Sequence, residues 1–155
     1  MGVNIGGIIF NKRINEMEIE VILRNEITFL KEVTFEDATN SSRDENTIDI
    51  FHGEKGTFVI TEPGQLYEVE DFNNEVIQFV IAEVSDVYFF EKYSGGKLVR
   101  RYINLQGSME ENFGEGIISG DKDLMDRVWS FVDEYLQIGA GGDIFGLKFR
   151  RYELQ

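Results

Sequence analysis

The sequence predicts an α+β fold: a mainly antiparallel sheet with a C-terminal helix, about residues 121–136, packed on one face. Three observations lead there. Short alternating or apolar runs separated by turn residues recur through the first two thirds of the chain. One segment near the end carries a broad helical stripe. Strands, helices and hairpins are mixed, with no regular βαβ alternation. A length of 155 residues suits a single domain spanning 1–155. A hydrophobic share of 42% with 13 phenylalanines is too rich for a disordered acidic chain.

Val3 to Phe10 reads as a first strand, with Gly6-Gly7 inviting a bulge or a close backbone approach. Ile14 to Leu23 fits two periods. Ile14, Met17 and Val21 make a helical stripe, whereas Met17, Ile19 and Val21 also alternate as a strand; the helix is preferred. Ile27 to Phe35 is a strand, Phe35 to Ala38 a short helical turn, and Thr39 to Asn46 a polar loop. Thr47 to Phe51 and Thr57 to Thr61 form strands joined by a turn over Gly53 to Gly56. Val76 to Val84 is almost continuously apolar, as a strand buried on both faces would be.

Val87 to Tyr93 and Leu98 to Ile103 flank Ser94-Gly95-Gly96-Lys97, whose glycines supply the positive φ of a tight hairpin. An acidic loop follows. In Asp121 to Leu136, Leu124, Val128, Phe131 and Tyr135 line one stripe, and Met125, Trp129, Val132 and Leu136 its neighbour. Asp121 or Asp123 is placed to cap this helix and Gly139 to stop it. Phe145 to Leu154 is a last strand.

Twenty-nine acidic side chains against 15 basic ones give a net charge of −14. That field repels nucleic-acid phosphates and anionic lipid, and it steers in a basic protein partner. There is no cysteine, hence no disulfide or thiolate chemistry. No apolar run reaches the roughly 18 residues a membrane span needs. The first residues lack a secretory signal, Gly6 stands where a myristoylation motif wants Ser or Thr, and the expected compartment is the cytoplasm. Asn40-Ser41-Ser42 is a glycosylation sequon only in a secreted eukaryotic protein.

The lone histidine, His52, lacks the companions of a zinc set and reads as structural or surface. Glu68, Glu70, Asp71 and Glu75 form one acidic cluster; Glu110, Glu111 and Glu115 form another leading towards Asp121 and Asp123. Both read first as solvated faces and as candidate binding surfaces. A pair of carboxylates held across a cleft would instead make a small hydrolase. Gly139-Ala140-Gly141-Gly142 follows a helix rather than joining a strand to one, so it is a connection and not a phosphate cradle. Arg100-Arg101 and Lys148, Arg150 and Arg151 are basic clusters on two strands. They would form an anion site if those strands paired, and otherwise exposed ion pairs. No cofactor motif is present, and the expectation is binding rather than catalysis.

The stretch VIQFVIAEVSDVYFFEKYSGGKLVRRY from Val76 to Tyr102, then an acidic loop, a helix and a short terminal strand, resembles small uncharacterised bacterial α+β domains. Some of these are similar in style to immunity proteins of toxin systems. The resemblance covers the C-terminal half and brings no catalytic residues. It implies an intracellular binder, acidic because its target is basic. A structural or regulatory domain that associates with itself is the remaining alternative.

Overall fold

The computed structural model describes residues 4–40, 42–116, 118, 120–138 and 146–155. The elements run β1 (Asn4–Phe10), α1 (Glu16–Leu23), β2 (Ile27–Thr34), α2 (Phe35–Ala38), β3 (Thr47–His52), β4 (Thr57–Thr61), β5 (Glu75–Ala82), β6 (Val87–Ser94), β7 (Lys97–Leu105), β8 (Ser108–Gly114), α3 (Asp121–Leu136) and β9 (Lys148–Leu154). Among the described residues, nine strands form one sheet in the order β2-β9-β3-β4-β1-β5-β6-β7-β8. Each neighbouring pair is antiparallel. Sheet predominates, so α+β describes the molecule only loosely.

Strand alternation gives each face its own core. Ile5 and Ile9 of β1 join Phe58, Phe79, Phe90 and Phe149 on the first face, where α3 lays down Leu124, Val128, Val132, Tyr135 and Leu136. Ile8 and Phe10 of the same strand join Ile48, Ile50, Val59, Val76 and Tyr152 on the second face, under Ile19 and Leu23 of α1 and Val69. Each such aliphatic or aromatic side chain removed from water contributes about 1.5–3 kcal/mol before entropy is counted. Gln78, on the second face of β5, accepts from the Tyr67 amide at 2.8 Å and donates to its carbonyl at 2.7 Å. That paired bond holds the segment before β5 against the sheet. β1 runs without a bulge; a Cβ at Gly7 would lie 2.9 Å from the Phe79 ring, so the glycine serves close packing.

The acidic loop predicted after β7 is instead an edge strand, β8. Gln106 and Gly107 both take positive φ (51° and 81°), making a two-residue hairpin turn like that at Gly95-Gly96. The α3 cap also differs. Gly120 is the N-cap residue and no side chain caps it; Asp121 accepts from the Tyr102 hydroxyl at 2.7 Å and from Asn104 at 3.1 Å, tying the helix start to β7. The helix ends at Gln137 in left-handed geometry. Gly139, the Gly139 to Gly142 run, Phe145, Val3 and Ser41 lie outside the described residues. β7 and β9 stand far apart in the sheet, so their basic clusters make no joint site.

Candidate functional site

The first acidic cluster is divided by the fold. α1 begins in a capping box, Asn15 accepting from the Glu18 amide at 2.8 Å and Glu18 from the Asn15 amide at 3.2 Å. Between α1 and the segment before β5 lies a groove of about 520 Å³, lined by Glu18, Val21, Ile22, Glu68, Asp71 and Phe72 among others. Phe72 meets Phe10 edge-on with ring centroids 4.9 Å apart, which anchors the groove floor to β1. Glu68 and Asp71 are exposed in the groove, and Glu68 pairs with Arg24 at 3.0 Å. Glu70 is exposed on the same segment. Glu75 goes elsewhere: on β5 it pairs with Lys92 at 3.0 Å and accepts from the Tyr135 hydroxyl of α3 at 3.0 Å. Burial pushes its pKa up, but the bonds from Lys92 and Tyr135 outweigh that and hold it below the ordinary carboxylate range.

The second cluster sits on and beyond edge strand β8. Glu111 pairs with Arg101 at 3.1 Å, and Arg101 also holds the buried Glu91. Glu110 falls where the β7–β8 register shifts and accepts from Ser108 at 3.0 Å. Glu115 is exposed past the strand end, its amide bonded to the Val99 carbonyl at 2.8 Å. The two clusters therefore belong to different elements, one before β5 and one at the sheet edge.

Two arrangements escape a linear reading. The first surrounds His52. Its Nδ1 donates to the Ile14 carbonyl at 2.9 Å, and its Nε2 lies 3.2 Å from the Tyr152 hydroxyl. That hydroxyl donates to Glu16 at 2.6 Å and accepts from Arg150 Nε at 3.0 Å. Burial, reinforced by the Glu16 bond, pushes Tyr152 up to about 12. Burial lowers His52 below the usual imidazole value, against the opposing effects of the Ile14 bond and Glu16. The Ile14, Tyr152 and Glu16 bonds span 38, 100 and 136 residues, which hides this cluster from any motif search.

The second arrangement is a buried charge network. Asp49 faces Arg151 across the β3–β9 ladder and is bonded by it at 2.8 and 3.0 Å. Arg43 approaches the same carboxylate at 3.1 Å, and Arg151 also reaches Asp44 at 2.9 Å. Alternation with Ile48 and Ile50 puts Asp49 on the other face of the strand, which a sequence reads as the polar one; the ladder to Arg151 shows that this face is interior too. Arg151 is thus an interior ion-pair member and not an exposed surface charge. Arg100 is likewise buried and bonds the Phe113 carbonyl at 2.6 Å.

Among the described residues, no three His, Asp or Glu side chains gather as a metal site would need. No helix among them is long and apolar enough to cross a membrane. No protein-family model matches the chain, and no curated protein or solved structure matches it either.

Proposed function

We propose that this chain is a non-enzymatic bacterial protein-binding domain, an immunity-type inhibitor acting in the cytoplasm, whose acidic surface meets a basic partner. The observation that carries the reading is the groove beside α1. Val21, Ile22 and Phe72 give it apolar surface, and Glu18, Glu68 and Asp71 rim it against Lys12 and Arg24. Met17 and Val21, one helical turn apart, are exposed apolar residues on α1 beyond what its packing uses. An apolar floor with an acidic rim suits a protein surface that presents aliphatic or aromatic side chains between basic ones. The buried carboxylates Asp49 and Glu91 also support this reading over hydrolysis, since each is held by arginine.

The test uses wild type and the triple variant Glu68→Lys, Glu70→Lys, Asp71→Lys as parallel baits in lysate from the native cell, at low salt. A basic protein kept by wild type is purified and its association rate measured against both baits. The proposal expects the variant to associate about tenfold more slowly or worse at low salt. It also expects that difference to shrink as ionic strength rises. Association indifferent to both the reversals and the salt would overturn it.

A further inference from the structure

A hollow of about 660 Å³ opens where Arg13 to Met17, the end of β3 and the start of β9 meet. Its permanent charges are Arg13, Lys148 and Arg150 against Glu16 and Glu32. They sum to +1 (three cations less two carboxylates), on a chain whose total is −14. Local pairing engages Arg150 with both carboxylates. Arg150 lies 3.9 Å from Glu16, stands opposite Glu32 in the β2–β9 ladder and stacks over the Phe29 ring at 3.9 Å. Glu16 is further engaged by the Tyr152 hydroxyl. Among the described residues, Arg13 and Lys148 make no ion pair, and both are exposed at the hollow.

We propose that this hollow binds a phosphate monoester, with Arg13 and Lys148 as its charge partners and His52 in the adjoining wall. The +1 surplus favours an anion, and two cations without an ion pair can each engage a separate oxygen of a phosphate group, which offers three. A monocarboxylate offers one oxygen fewer, and a neutral ligand would gain nothing from either cation. Arg13 adds the planar fork that grips two phosphate oxygens at once, while Lys148 supplies a compact point charge. The same chemistry is offered by a free phosphorylated metabolite and by a phosphoserine side chain. This site is separate from the acidic groove and stands or falls without it.

His52 is the single histidine, so its imidazole gives one resonance that reports on the hollow. Arg13, Glu16 and Arg150 act on that ring electrostatically, the Ile14 carbonyl and the Tyr152 hydroxyl bond it, and Glu32 and Lys148 line the same hollow. The experiment follows the His52 Hε1 signal of the full chain at constant pH and ionic strength. Inorganic phosphate, glucose 6-phosphate and a phosphoserine peptide are added in turn, with acetate and chloride as controls. A saturable shift with the phosphates, absent with acetate, is expected. Arg13→Gln with Lys148→Gln should weaken it at least tenfold, read from the saturation midpoint, while unliganded signals away from the hollow stay native; the unliganded His52 signal itself moves with the lost Arg13 charge. Lys97→Gln with Lys122→Gln, two exposed lysines away from the hollow, should leave the midpoint unchanged. Tighter saturation by the peptide assigns the source to a phosphoprotein, and by the sugar phosphate to a metabolite. A linear shift shared by acetate and chloride, or equal weakening by the two variant pairs, would overturn the proposal.

Discussion

Replacing Asp49 with alanine removes the one carboxylate that two interior arginines share. The Asp49 side chain is 0% exposed, with Arg43 at 7% and Arg151 at 5%. Three contacts vanish together: 2.8 and 3.0 Å to Arg151 and 3.1 Å to Arg43. Arg151 keeps the half-exposed Asp44, whereas Arg43 keeps hydrogen bonds to Thr47 and backbone oxygens and the longer-range attraction of Glu62 and Asp44. Breaking a buried ion pair from one side costs about 3–5 kcal/mol, because a charge is stranded without solvent. One guanidinium left without a close carboxylate, and a second left with a half-exposed one, place Asp49→Ala near the middle of that range, at about 4 kcal/mol, a large part of a total stability of about 5–15 kcal/mol. With a urea slope of about 2 kcal/mol per molar, the unfolding midpoint should fall by about 2 M. Urea titration followed by circular dichroism reads this directly. The triple variant Asp49→Leu, Arg43→Met, Arg151→Met strands no charge and should lose less than the single one. A loss below about 1 kcal/mol for Asp49→Ala, or a triple variant worse than the single, would refute the reasoning.

Glu75 and Glu68 should separate a fold contact from an exposed surface pair. Glu75→Gln loses the Lys92 pair and weakens the Tyr135 bond, costing about 1–2 kcal/mol in urea unfolding, whereas Glu68→Gln stays within about 0.5 kcal/mol. Because the folded Glu75 pKa lies below its unfolded value, its contribution is present above the ordinary carboxylate range and lost as pH falls through the folded value. The gap between wild type and Glu75→Gln should therefore close in acid; a gap constant with pH counts against the pairing. For His52, burial depresses the folded pKa below 6.5, so the unfolded chain takes up a proton that the folded chain refuses. Stability should be lost as pH falls below about 6.5 towards the folded value, and His52→Gln should flatten that part of the curve. Identical pH profiles for the two proteins would contradict it.

The sheet was legible wherever turn chemistry bracketed an apolar run. The Gly53 to Gly56 turn, Gly95-Gly96 and the almost continuously apolar β5 all pointed to strands found there. α3 was legible because two adjacent stripes can bury a whole helix side only on a sheet. β8 was not, since Ser108–Gly114 is solvent-facing and carries no apolar alternation to mark it; the only cue was Gln106-Gly107. The site was harder to see than the fold. Glu68, Glu70, Asp71 and Glu75 are neighbours in sequence, yet strand direction turns Glu75 under α3 and leaves the others outside. Arginine misled for a related reason: its long stem and fixed charge suit a surface, but Arg151 finds a register partner at Asp49 and is drawn inside. Sequence counts charges; only the ladder register says which ones cancel.

That cancellation gives the two binding proposals opposite long-range electrostatics. α1 is a wall of both concavities, with Glu16 and Met17 in the hollow and Glu18, Val21 and Ile22 in the groove. The surplus negative field that speeds a basic partner towards the groove slows a phosphate on its way to Arg13 and Lys148. At 0.1 M salt, screening confines each charge to about 10 Å, so the whole-molecule field fades while contacts within either concavity persist. Partner association, driven by the distant field, must then fall steeply with added salt. Phosphate affinity falls less, because the same salt that weakens its two cationic contacts also removes the repulsion of the remaining surface. A steep, parallel salt dependence of both would mean that phosphate is held by diffuse surface charge and not by the hollow.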